Sequence, residues 1–220
     1  MTMLLGPLAD DLWRIGHEDT TGNPWIDADS MGLGLAAGLL GELWLGRHVR
    51  IGQGRLEVAV EQPSPVDGLG ESIVRLLARE ASDFTLASWL SFLARDSYEQ
   101  VTRRLAEAGH VRPQRRGLTG SAWVATDTSR ALAPALRLRF RLGKGYPLVS
   151  YELALLGLLS ACGLEKALLY PANTPGVLRE RLAEWLRWPD MPPALADLVK
   201  HTRAAAGRAV LTARHPQLSL

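Results

Sequence analysis

Arginine dominates the residue types here that could do chemistry, and its spacing points to anion recognition. Arg103 and Arg104 are adjacent, and Arg112, Arg115 and Arg116 follow within VRPQRRGLTGSAWVAT, which also carries Trp123. A guanidinium presents a planar fork of donors that matches phosphate oxygens. Arg130, Arg137, Arg139 and Arg141 come next, and Arg130, Arg137 and Arg141 share one face if 129–142 is helical. Other chemistries lack their residues. His17, His48, His110, His201 and His215 show no i,i+4 pair and no cysteine partner, so a metal centre is not expected. No Gly-x-Ser-x-Gly elbow surrounds Ser160, and Gly32-Leu-Gly34 has no strand before it to make a dinucleotide turn. The pairs Asp10/Asp11 and Asp27/Asp29 read as solvated helix ends near the positive end of the dipole. The expectation is a non-enzymatic protein without a cofactor.

The charge is segregated along the chain. Residues 1–94 contain 6 Lys/Arg and 13 Asp/Glu, a balance of −7; residues 95–144 contain 11 and 4, or +7; residues 145–220 contain 8 and 6, or +2. A concentrated basic stretch implies an anionic partner, a membrane surface or a nucleic acid. The blander alternative is an arginine-rich face paired with the acidic first part of the same chain. Exposed tryptophans beside arginines favour lipid, because an indole rests at the headgroup level. Trp25 follows Pro24 in a turn-rich loop and Trp123 lies in the basic hairpin, whereas Trp44, Trp89, Trp185 and Trp188 read as packing residues.

The elements that must hold these residues are mainly helical. Leu4, Leu5, Leu8 and Leu12 recur at helical spacing, with Asp10 and Asp11 on the other side. Ser30 could cap a helix from Met31 to Leu45, apolar all round, in which Gly34 and Gly38 allow close approach by neighbours. His48–Val60 alternates around Gly-Gln-Gly as a small hairpin. Helices are expected over 72–81, 85–93 and 98–108, the last ended by Gly109. A second hairpin over 111–126 and a helix over 129–142 follow, then an apolar helix over 151–164 and amphipathic helices over 175–188 and 192–206. The fold class is a single-domain helical bundle, residues 1–220, around a buried apolar helix pair, with small β-hairpins. Helices 85–93 and 98–108 with the hairpin also have the order of a winged helix-turn-helix, so a DNA-binding regulator using 85–126 is the runner-up. Base readout there would be poor, because Gln100 is the one neutral amide on the would-be recognition helix. A self-associating scaffold is the third reading.

No apolar stretch reaches the ~20 residues of a bilayer span, no signal segment precedes Asp10 and Asp11, and the lone Cys162 suits a reducing compartment. The expected location is cytoplasmic and peripheral, on the inner face of the membrane.

The order of these features resembles the Golgi phosphoprotein 3 family. The residues that carry the resemblance are LLGPLADDLWRIGHEDTTG, the loop Trp25, the small apolar helix closing with Gly41 to Arg47, HVRI, RRLAEAGHV with its hairpin, and YELALLGLL. The glycine-, alanine-, leucine- and arginine-rich composition is similar to that of actinobacterial members. The resemblance implies an all-helical domain that binds phosphatidylinositol 4-phosphate and holds the cytosolic tails of membrane proteins. It implies a headgroup site at Trp25, Arg95 and Tyr98. The family has arginine where this chain has Tyr98, and another on the central helix, where this chain reads Gly34, Leu35 and Ala36. Arg137 and Arg141 are the candidates to complete the site. The resemblance also implies a hairpin that enters the membrane or self-associates, with Leu118 and Trp123 as its apolar residues and Arg112, Arg115 and Arg116 around them.

Overall fold

A computed structural model describes residues 6–59, 66–80, 84–116, 120–170, 175–187 and 190–214. Its described residues form one helical bundle with two antiparallel hairpins.

Helix α1 (Leu8–Ile15) is followed by α2 (Ala28–Leu45), and the loop between them carries Trp25. Asp27, not Ser30, caps α2: its carboxylate accepts the Ser30 backbone N–H at 2.8 Å. Charged or polar side chains on α2 are confined to its two ends, and everything from Ser30 to Gly41 is buried. The expected close approaches are present. A Cβ on Gly38 would lie 2.9 Å from Ala9 Cα, and one on Gly34 would lie 2.8 Å from Cys162 Sγ. Helix α6 (Ser150–Ala161) is the other apolar helix, and α2 packs against α1, α4 (Leu86–Glu107), α6 and α9 (Pro193–Arg214). The buried helix pair is thus the centre of the bundle.

The other elements fill in around this centre. Hairpin β1 (Val49–Gly52) and β2 (Arg55–Val58) turns through Gln53 and Gly54, both at positive φ. Helix α3 (Gly68–Arg79) is capped by Asp67. Hairpin β3 (Val111–Arg116) and β4 (Gly120–Ala125) pairs Pro113 with Trp123 and leads into α5 (Thr128–Lys144). The short α7 (Glu165–Leu168) and α8 (Gly176–Arg187) precede α9.

Two further expectations need correction. The segments 85–93 and 98–108 are one continuous helix, α4. Its buried positions Leu86, Leu90, Leu93, Ser97, Val101 and Leu105 run at helical spacing straight through Arg95 and Asp96, and no glycine or proline interrupts them. A helix-turn-helix needs a turn there, and α4 has none. Asp10 and Asp11 are not solvated either; both are buried, paired with Arg104 and Arg137.

Candidate functional site

The acidic first part of the chain meets the basic middle inside the fold. Asp10 on α1, Glu42 on α2 and Asp67 at the cap of α3 all converge on Arg104 of α4. The Arg104 guanidinium takes Glu42 in a two-pronged grip at 2.9 and 3.0 Å and reaches Asp67 at 3.0 Å. Its Nε donates to Asp10 at 2.9 Å. Glu42 also accepts the Ala9 backbone N–H at 2.7 Å, which fixes the start of α1. Burial raises the pKa of Asp10 and of Glu42, with Arg104 pulling both back down. Burial alone would lower the Arg104 pKa, but the bonds and charges of Glu42 and Asp10 outweigh it and hold the group firmly protonated.

Asp11 anchors a second group. It pairs with Arg14 at 2.7 Å and Arg137 at 3.0 Å, and accepts the Tyr151 hydroxyl at 2.8 Å. Arg137 also lies over the Tyr151 ring, 5.4 Å from its centroid. Burial, and then the Asp11 charge, push the Tyr151 pKa up. Arg141 pairs with the buried Glu152 at 2.8 Å, and Glu152 in turn accepts the Val149 N–H that starts α6. Arg104, Arg137 and Arg141 therefore each hold a helix junction together.

The remaining candidates lie at the surface. Arg95 is exposed and Tyr98 half-buried, and both line a cavity of about 450 Å³ with Asp29, Leu33 and Arg208. Tyr98 is tied to the Trp25 loop through its hydroxyl, 3.1 Å from His17 Nε2. The Trp13 carbonyl, 2.7 Å from His17 Nδ1, can only accept, so Nδ1 carries the proton and Nε2 accepts from Tyr98. Burial lowers the His17 pKa to about 4, which keeps the ring neutral. Trp25 lies in a neighbouring cavity of about 50 Å³ with Leu132, Leu136, Arg139 and Tyr170.

In the hairpin, Arg112 and Arg115 are exposed, and Trp123 is half-buried against the core. Arg116 pairs with Gly120 through the backbone ladder. Leu118 lies outside the described residues. The loop ahead of Trp25 is seated on β4 at Gly22, which has φ +67°, and a Cβ there would lie 2.0 Å from the Trp123 carbonyl oxygen. The hairpin, the Trp25 loop and the Tyr98 turn of α4 are thus in contact. The structure brings Arg95 and Tyr98 to one cavity and sets Trp25 in the next, while Arg137 and Arg141 are turned inward to Asp11 and Glu152.

Sequence reasoning missed the Arg104 cluster and a cavity of about 570 Å³ between α3 and α4, lined by Asp67, Ile73, Phe92, Asp96, Arg103 and Arg104 among others. The available signal was the segregation of charge itself. Three acids from the negative segment need a cation, and the positive segment supplies it.

A family model described as Golgi phosphoprotein 3 matches residues 8–202. No curated protein matches the chain. The match takes in α1, the whole buried helix pair and both hairpins, and the chain belongs to the Golgi phosphoprotein 3 family.

Proposed function

We propose that this member of the Golgi phosphoprotein 3 family is a non-enzymatic peripheral membrane protein that binds anionic phospholipid surfaces. One observation carries the reading. Once the fold has paired Arg104, Arg137 and Arg141 with carboxylates, Arg95, Arg112 and Arg115 are left exposed, without an ion-pair partner among the described residues. Arg95 lies on the helix that the Trp25 loop touches, Arg112 and Arg115 lie on the strand paired with the one it touches, and Trp25 itself is exposed. Unpaired guanidinium groups suit phosphate oxygens, and an exposed indole suits the headgroup layer. No described helix is long and apolar enough to cross a membrane, and attachment to the inner face through this surface is part of the proposal.

The recognition proposed is charge-driven. Asp29 shares the Arg95 cavity, and a carboxylate there opposes a multiply anionic headgroup. Selectivity for phosphatidylinositol 4-phosphate is therefore expected to be slight. Co-sedimentation with phosphatidylcholine vesicles, with and without phosphatidylserine, tests the reading. The protein should pellet with the anionic vesicles and stay in solution with the neutral ones; equal behaviour with both overturns the proposal. Vesicles carrying phosphatidylinositol 4-phosphate at matched charge should bind no more tightly than those carrying phosphatidylserine.

A further inference from the structure

Helix α5 has two apolar faces, and the bundle uses only one. Ala131, Ala135, Leu138 and Leu142 are buried against the core. Leu132, Leu136 and Phe140 recur every fourth residue along a second stripe, yet Leu136 is 52% exposed and Phe140 57%. The outward face of a bundle helix ordinarily carries charge.

The stripe extends past the helix at both ends. Phe140 meets the exposed Tyr146 edge-on, with ring centroids 5.8 Å apart. Leu132 and Leu136 share their small cavity with Trp25 and Tyr170, whose rings are 5.2 Å apart and both exposed. Single exposed apolar residues are ordinary, but a contiguous patch marks an interaction surface.

Charge decides what covers it. The 17 residues of α5 contain no Asp or Glu and five Arg or Lys. Arg139 borders the stripe on the Trp25 side, while Lys144 and Arg130 lie beyond its other edge. Glu18 and Asp19 line the cavity beside Trp25, at the opposite end of the stripe from Phe140 and Tyr146. A helix with an apolar outer stripe, cationic margins and flanking Trp and Tyr has the make-up of one that lies in the plane of an anionic bilayer.

We infer that α5 is the element that enters the membrane. Leu132, Leu136 and Phe140 sink to the boundary between headgroups and acyl chains, Trp25, Tyr146 and Tyr170 rest at headgroup level, and Arg130 and Lys144 meet lipid phosphates. This inference rests on the membrane-binding proposal above and assigns an insertion surface to α5.

The test uses the full chain and phosphatidylcholine vesicles with and without phosphatidylserine. Leu136→Ser/Phe140→Ser alters exposed side chains only, so circular dichroism and the unfolding midpoint should stay as in the parent. Its partition onto anionic vesicles should fall about tenfold or more, since the lost term is apolar transfer. A fluorophore on Leu136→Cys in a Cys162→Ala background should shift to the blue on binding and be quenched by nitroxide-labelled lipids. Unchanged partition of the double variant, or a bound fluorophore that stays in water, overturns the inference while leaving vesicle binding intact. So does a double variant that changes only the mass in sedimentation, which would make the stripe a contact between copies of the chain. A parent protein that ignores anionic vesicles refutes the membrane-binding proposal itself.

Discussion

Arg103 and Arg104 are neighbours in sequence with opposite expected fates on substitution. Arg104→Met removes the one guanidinium that bridges Asp10, Glu42 and Asp67. The side chains of Asp10 and Glu42 are 5% and 18% exposed, so both carboxylates would stay desolvated with their main counter-charge gone. Breaking a buried pair by removing one partner costs about 3–5 kcal/mol. Asp67 adds little, because it is half exposed and keeps its capping bond to Gly70 N–H at 2.7 Å. The loss is a large part of the ~5–15 kcal/mol that holds an ordinary domain together. Arg103 reaches Glu99 only at 3.9 Å from an exposed position, and Arg103→Met should stay within about 0.5 kcal/mol of the parent. Urea unfolding reads both variants. The decisive control is Asp10→Asn/Glu42→Gln in the Arg104→Met background, which leaves no buried charge and should recover most of the loss. An Arg104→Met cost below about 1 kcal/mol, typical of a surface ion pair, would refute the view that these charges are structural. Failure of the neutral triple variant to recover would refute the mechanism.

Further outcomes follow from particular contacts. The His17 pKa lies at about 4 against 6.5 in an unfolded chain, so His17 adds an acid penalty that is absent above pH 6.5 and complete by pH 4. That penalty is about 3 kcal/mol, and proton NMR should find the ring neutral down to about one pH unit above its folded pKa. Asp10 and Glu42 act with the opposite sign: their pKa values are raised, so the cost of ionising them is relieved as pH falls towards the ordinary carboxylate range, and His17→Gln should expose that trend. Gly22→Ala should destabilise by more than the ~1–2 kcal/mol of a left-handed backbone alone, because the new methyl meets the Trp123 carbonyl; thermal unfolding measures this. Burial pushes the Cys162 thiol up to about 12, so a thiol reagent should modify it only at the rate of unfolding, and prompt modification of the native protein would contradict its packing against Gly34.

Much of the fold was legible because its strongest signals are local. The buried pair α2 and α6 announces itself by continuous apolar sequence, and the Gly-Gln-Gly turn and Gly109 mark a hairpin and a helix end. α4 was misread because the charged Arg95-Asp96 pair resembles a boundary when only neighbours are considered; its inward stripe passes beneath them. Asp10 and Asp11 were misread for a different reason. Adjacent carboxylates in a first helical turn normally face water, and nothing nearby shows that Arg104 and Arg137 arrive from 94 and 126 residues away. The same long-range pairing engages Arg137 with Asp11, whereas Arg141 takes Glu152, a partner close to it in sequence. On α5 the sequence shows two apolar faces, 131/135/138/142 and 132/136/140, and only the packed structure tells which one the bundle leaves open.

The central claim divides the arginines into those that build the fold and those left for an anionic surface. Vesicle flotation of Arg112→Glu/Arg115→Glu tests that division most directly. A basic side chain near an anionic bilayer contributes about 1 kcal/mol, so removing two lowers affinity about thirtyfold, and the reversed charge lowers it further. The account predicts that this variant leaves phosphatidylserine vesicles while its urea midpoint stays at the parent value. Binding equal to the parent, or a loss of binding that merely follows a loss of stability, would contradict it.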